Sequence, residues 1–164
     1  SEYGIRSLSK VHEKAYQIHI DGIEYSIDYE PAESTVPLFG GNSNWRGPIW
    51  MPMNYLFIQA LREYQWYDGN DFLFEYPTGS NKLLNLKQVS EELSKRLIHM
   101  FEKDEKGNRA INKNYEKYYQ DPHFKDLILF YEYFHGENGR GLGASHQTGW
   151  TALVANLIEQ LEQD

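Results

Sequence analysis

Cysteine is absent from all 164 residues, which removes disulfides, thiolate metal sites and thiol nucleophiles and suits a reducing, cytoplasmic setting. Positive charge is also scarce: 16 Lys and Arg stand against 24 Asp and Glu, for a formal net charge of −8. Binding to nucleic acid by counterion release needs clustered Lys and Arg, so this balance argues against a nucleic-acid partner. Neutral, hydroxyl-rich partners fit better. No apolar run approaches the roughly 20 residues of a membrane span, and the opening SEYGIRSLSK has no apolar core of a secretion signal. That opening starts on Ser1 and has no periodic pattern from Gly4 to Lys10, so a chain cut from something longer is expected. Internal repeats, heptads and low-complexity segments are missing too.

What is present is 40% hydrophobic and 15% aromatic, enough for one domain with a real core. Apolar residues alternate at Tyr16, Ile18 and Ile20, then at Ile23, Tyr25, Ile27 and Tyr29, around Asp21-Gly22. Asp-Gly between alternating runs predicts a β-hairpin over about 15–30. Helical spacing follows. Met53, Leu56, Phe57, Ala60, Leu61 and Tyr64 form one stripe after Pro52, for a helix over about 50–66. Leu86, Val89, Leu93, Leu97 and Met100 form a second, over about 86–103, with Asn85 as N-cap and Gln88 three positions on. A third helix is expected over about 122–135, capped by Asp121-Pro122, carrying Leu127, Ile128, Phe130, Tyr131 and Phe134, and ended by Gly136. A fourth, over about 148–162, carries Trp150, Leu153, Val154, Leu157, Ile158 and Leu161. The expected fold is mainly α with a short N-terminal hairpin, in a single domain.

Unusual residues concentrate in two stretches at helix ends, LFGGNSNWRGPIWMPMNY from Leu38 to Tyr55 and YEYFHGENGRGLGASHQTGW from Tyr131 to Trp150. Aromatic faces beside Asn, Gln, His and Arg suit a sugar, which offers apolar C–H faces and a rim of hydroxyls. Hydrolysis would also need a carboxyl group, and Glu132 is the obvious candidate. His135 and His146 have no metal-ligand spacing. DGND at Asp68–Asp71 and DEKGN at Asp104–Asn108 do not continue into an EF-hand loop and read as turns. Gly136, Gly139, Gly141 and Gly143 do not satisfy the dinucleotide spacing, so no metal and no cofactor is expected. These glycines are read as allowing a tight loop to approach the site, with a purely conformational role as the plain alternative.

Taken together, GGNSNWRGPIW with NYL after it, FYEYFHGENG, and GLGASHQTGWTALV resemble glycoside hydrolase family 63, which includes processing α-glucosidases, bacterial glucosidases and mannosylglycerate hydrolases. The resemblance spans about Gly4 to Leu161, with the motifs in the family's order. It implies the C-terminal portion of an (α/α)6 barrel and an inverting mechanism with two catalytic carboxyl groups. Glu132 matches the glutamate that looks like the general base. Trp45, Arg46 and Trp50 match the motif lining the sugar pocket, Asn54 follows in NYL, and Trp150 matches the tryptophan opening a late helix. Tyr131, His135 and His146 stand where they could hold the carboxylate or its water. No segment matches the motif around the family's general acid.

The resemblance thus implies an incomplete glycosidase acting on an α-linked glucosyl or related unit of an oligosaccharide or glycoside. Its partners would be that substrate and the missing N-terminal part of the catalytic domain, with self-association through an exposed apolar seam as a further expectation. The alternative is a non-catalytic helical module for carbohydrate binding or protein association. Each residue also has a plainer reading: Glu132 as a surface carboxylate on a helix, the tryptophans as core, Arg46 as an anchor, and Asn42, Asn44 and Asn54 as caps or turns.

Overall fold

The computed structural model describes residues 1–36 and 44–163. The glycines at 40 and 41 and Asn42, expected to contribute to the first site stretch, lie outside the described residues.

Asp21 and Gly22 both take positive φ, 51° and 78°, as a tight two-residue hairpin turn requires. They join β1 (Tyr16–Ile20) to β2 (Ile23–Ile27), antiparallel with Ile18 opposite Tyr25 and Ile20 opposite Ile23. Cross-strand partners point to the same side, so Tyr16, Ile18, Ile20, Ile23, Tyr25 and Ile27 share one face. That apolar face is largely exposed.

Helix α1 (Met51–Asp68) starts where Trp50 is still extended and Pro52 occupies the first turn, and it stops at Gly69, whose φ is 69°. Its buried side is Met51, Asn54 and Ile58. Of the stripe expected to face the core, Met53, Leu56, Phe57 and Tyr64 are exposed, whereas Leu61 packs against the core. α1 is therefore apolar on two sides, the composition of a helix covered on both. Helix α2 (Leu86–His99) carries the full capping box between Asn85 and Gln88 and buries Leu86, Val89, Leu93 and Leu97, as the spacing predicts. It ends at His99 rather than near 103, and Met100 and Phe101 continue the core from a turn. The core lies where α1, α2 and α4 (Leu153–Gln163) meet, around Ile49, Ile58, Leu97, Met100, Ile111, Phe134 and Leu157. A polar seam fixes α4 on α1: the Tyr55 hydroxyl donates to Asn156 at 2.7 Å, and Gln59 and Gln160 exchange amide bonds at 3.0 and 3.2 Å.

Two smaller ladders complete the order, β3 (Phe74–Glu75) with β4 (Leu83–Leu84) and β5 (Tyr133–Phe134) with β6 (Gly141–Leu142). A one-turn helix α3 (Glu116–Tyr119) lies between α2 and β5.

The helix expected over 122–135 is absent. Asp121 caps a single turn, its side chain accepting from His123 N–H at 2.8 Å and its carbonyl from Phe124 and Lys125 N–H at 3.0 Å. The chain then extends into β5. Leu127–Phe134 is a short apolar run rich in Ile, Phe and Tyr, which suits a buried strand as well as a helix. Tertiary pairing decides it: Phe134 and Ile49 exchange backbone hydrogen bonds at 2.8 and 2.9 Å, and both are wholly buried. The last helix likewise begins at Leu153, not 148, after turns over 148–152.

Candidate active site

The site is built on a small ribbon. Ser7 N–H donates to Pro48 O at 2.9 Å, Ile49 bridges Arg6 on one side and Phe134 on the other, and Tyr133 and Phe134 pair with Leu142 and Gly141. The WRGPIW segment is thus the middle strand, and the segment holding Glu132 runs beside it. Glu132 lies at the start of this ribbon, not on a helix as the spacing predicted.

Alternation sends Ile49 and Phe134 into the helical core and Trp50 and Tyr133 to the other face. There three rings stack. Trp45 lies on Trp50 at 4.1 Å between centroids with planes 3° apart, and Trp50 lies on Tyr133 at 4.7 Å and 16°. Both faces of Trp50 are therefore covered, and its indole N–H donates to Asn44 O at 2.9 Å. Trp45 keeps 42% of its surface exposed, so the stack presents Trp45 to solvent with the buried Trp50 as its support. Trp150 meets Trp50 edge-on at 6.2 Å.

Glu132 is held by the loop after β6. Its carboxylate Oε2 accepts from Ala144 N–H at 3.0 Å, its own N–H donates to Ala144 O at 2.8 Å, and its carbonyl accepts the Trp150 indole N–H at 3.0 Å. Gly143 makes this possible. Its φ is +69°, and a Cβ there would lie 2.5 Å from Glu132 Oε2 and 2.7 Å from a ring carbon of Tyr133. A side chain would collide with both. The same two distances place the carboxylate directly beside the aromatic stack. Tyr133 feels it: burial, then the negative charges of Glu33 and Glu132, push its phenol up to about 12.

Arg46 is buried and committed. It donates to Asp28 at 2.7 Å, to Glu30 and to Ser34 at 3.2 Å, while its backbone N–H donates to Asn44 Oδ1 at 2.9 Å. Asn44 in turn donates to the carbonyls of Glu30 and Ala32, each at 2.7 Å. These bonds strap residues 28–34 over the stack, where Ala32 packs against the cluster of Trp50, Tyr133 and Leu142. Asn54 is likewise spent within the protein, accepting from Ile5 N–H at 2.7 Å and donating to Ile5 O and Trp50 O.

Tyr131 is buried, its ring stacked on Tyr115 at 6.1 Å and 8°, and its carbonyl accepts from the Thr151 hydroxyl at 2.5 Å. His135 is half-buried, with Nδ1 accepting from Glu137 N–H at 3.1 Å. Burial, then the Arg140 charge, holds its pKa below the ordinary imidazole value. His146 is exposed on the Glu132 loop, against Phe130. Among the described residues no group of three or more His, Asp or Glu side chains converges as metal ligands would. Asp104 accepts from both Lys106 and Asn108 N–H, at 2.9 and 2.8 Å, and so forms a turn.

The structure thus gathers Trp45, Trp50 and Trp150 into one aromatic cluster with Tyr133, holds the Glu132 carboxylate near the Tyr133 ring, and keeps Arg46 beneath the strap. Sequence reading did not single out Tyr133, Asp28, Glu30 or Glu137. For Tyr133 the signal was the Tyr-Glu-Tyr alternation, which a helix assignment hides. Glu137 accepts from Tyr29 at 2.5 Å, Arg6 at 3.2 Å and Lys10 at 3.4 Å, tying the N-terminal segment to the site loop through pairs more than 100 residues apart that no local pattern shows.

The model of the glycosyl hydrolase family 63 C-terminal domain matches residues 1–160. The chain belongs to glycosyl hydrolase family 63. An uncharacterised protein of Saccharomyces cerevisiae is 53% identical over 164 residues, covering 98% of this chain and 15% of its own length. The mannosyl-oligosaccharide glucosidase of the same yeast is 32% identical over 125 residues, 73% of this chain and 11% of its own. Alpha-glucosidase 2 of Arabidopsis thaliana is 28% identical over 116 residues, 71% of this chain and 11% of its own. The family 63 chain thus spans 11–15% of the length of these relatives.

Proposed function

We propose that this chain carries the general-base side of an inverting glycosidase site, acting on α-linked glucosyl or related units of an oligosaccharide or glycoside. It would be part of an (α/α)6 barrel. The observation that supports this most is the Glu132 carboxylate, fixed by a backbone N–H beside the Trp45–Trp50–Tyr133 stack. The names of two relatives, a mannosyl-oligosaccharide glucosidase and an alpha-glucosidase, support the substrate class.

An inverting hydrolase protonates the leaving oxygen with one carboxyl group. It deprotonates water on the far face of the sugar with another, roughly 6.5–9.5 Å away. In this reading Glu132 takes the proton from water while Trp45 bears the apolar face of the sugar ring. Trp150 holds the Glu132 backbone in place. The general acid belongs to the remaining polypeptide, because this chain covers only 11–15% of its relatives. The absence of cysteine supports a cytoplasmic setting.

Titrating this chain with maltotriose while following tryptophan fluorescence tests the site. Saturable quenching is expected, lost in Trp45→Ala and kept in Glu132→Gln. In the longer polypeptide, Glu132→Gln should lower hydrolysis by about 100-fold or more, the scale of general-base catalysis. Hydrolysis at the wild-type rate would remove Glu132 from the mechanism.

A second reading is favoured by the exposed apolar faces of the hairpin and α1: a helical module whose first role is association with the rest of its polypeptide or with a second copy. A compact monomer by light scattering, with no bound apolar dye, would dismiss it.

A further inference from the structure

The Tyr115–Tyr131 stack lies at the start of the same ribbon, one residue before Glu132, and nothing in the site described above uses it. Tyr131 is an immobile base. It is buried, its carbonyl takes the Thr151 hydroxyl at 2.5 Å, and a Cβ at Gly141 would come within 2.1 Å of its ring. Tyr115 lies on it nearly parallel, 8° between planes, and is itself positioned by its N–H donating to Asn112 O at 2.8 Å. It remains 37% exposed.

Over Tyr115 opens a groove of about 520 Å³, walled by Phe124 and rimmed by Asn114, Lys117 and Asp121. That volume falls in the range of small-ligand sites, roughly 300–1,000 Å³. Two aromatic rings with an amide, an ammonium and a carboxylate are a chemistry for a polyhydroxylated ring: C–H faces rest on the aromatics, and hydroxyls exchange hydrogen bonds with the rim. A phosphate would meet one lysine beside a carboxylate. An apolar peptide would leave the rim unpaired.

We propose that this groove is a second saccharide subsite, taking a unit of the oligosaccharide remote from the one at Glu132. The inference rests on the carbohydrate reading of the Glu132 site and deepens it: the substrate class becomes an oligosaccharide of several units rather than a small glycoside.

Calorimetric titration of this chain with methyl α-glucoside and with maltotriose reads both levels. Maltotriose should bind roughly fivefold tighter, the scale of one added stacking contact. Tyr115→Ala should abolish that advantage and leave the methyl α-glucoside affinity unchanged, and Tyr115→Phe, which keeps the ring, should retain it. Equal affinity for the two sugars in the wild type, or an advantage that survives in Tyr115→Ala, overturns the subsite and leaves the Glu132 site standing. If neither sugar binds the wild type, the carbohydrate reading itself fails, and the subsite falls with it.

Discussion

At the scale of single residues, Arg46 shows how a side chain expected at a ligand serves the scaffold. Its guanidinium is 3% exposed and lies between Asp28 and the nearly buried Glu30, so removing the guanidinium strands the Glu30 charge. Leaving one member of a buried pair uncompensated costs about 3–5 kcal/mol. Arg46→Met should therefore lower the unfolding free energy by about 3 kcal/mol in urea, whereas Asp28→Asn, at the half-exposed end of the network, should cost under about 1 kcal/mol. A near-neutral Arg46→Met would mean that the strap over the aromatic stack is not held by this network. The motif spelling made Arg46 visible, but its direction was not. Only the fold brings Asp28 and Glu30 to it, and a guanidinium serves a carboxylate of the protein or a hydroxyl of a ligand with the same geometry.

At the scale of elements, legibility followed the range of the interactions. The hairpin turn and the start of α2 were readable because their determinants lie within a few residues: Asp21-Gly22 supplies the positive φ, and Asn85 and Gln88 cap each other. Asn85→Ala should cost about 1 kcal/mol, seen as a lower melting temperature, with Gln88→Ala adding little once the first cap is gone. Costs that simply add would show that the two caps act independently. The segment 122–135 was misread for the opposite reason. Its apolar residues fit either period, and the partner that settles the matter, Ile49, is 85 positions from Phe134 in the chain. The outward stripe of α1 is a related case, because the hydrophobic pattern marks surfaces to be covered without naming what covers them.

At the scale of the whole molecule, the N-terminal segment and the site loop are coupled by charge. The Tyr29 hydroxyl, opposed in part by burial and helped by Arg6 and Lys10, holds the Glu137 carboxyl below its ordinary 4.5. Burial and Arg140 hold His135 below its ordinary 6.5. In both cases the folded state binds protons less readily than the unfolded one, so stability falls as pH falls. For His135 the loss begins as pH drops through about 6.5, where the unfolded imidazole charges first. For Glu137 it begins as pH drops through about 4.5 and continues to the depressed folded value. Urea midpoints should thus decline in two stages between pH 7.5 and 3.5, and His135→Gln should flatten the upper stage alone. An unchanged slope between pH 7.5 and 5.5 in that variant would assign the loss to other groups.

The sequence by itself determined the family, the hairpin, the Asn85–Gln88 cap and the stripes of α2 and α4, because those features are written in adjacent or helix-spaced residues. Tertiary structure decided that Glu132 stands on a ribbon, that Trp50 supports while Trp45 presents, and that Arg46 and Asn54 bind the protein itself. Those outcomes depend on pairings between segments up to 131 residues apart, where backbone hydrogen bonds and buried charge outweigh local preference.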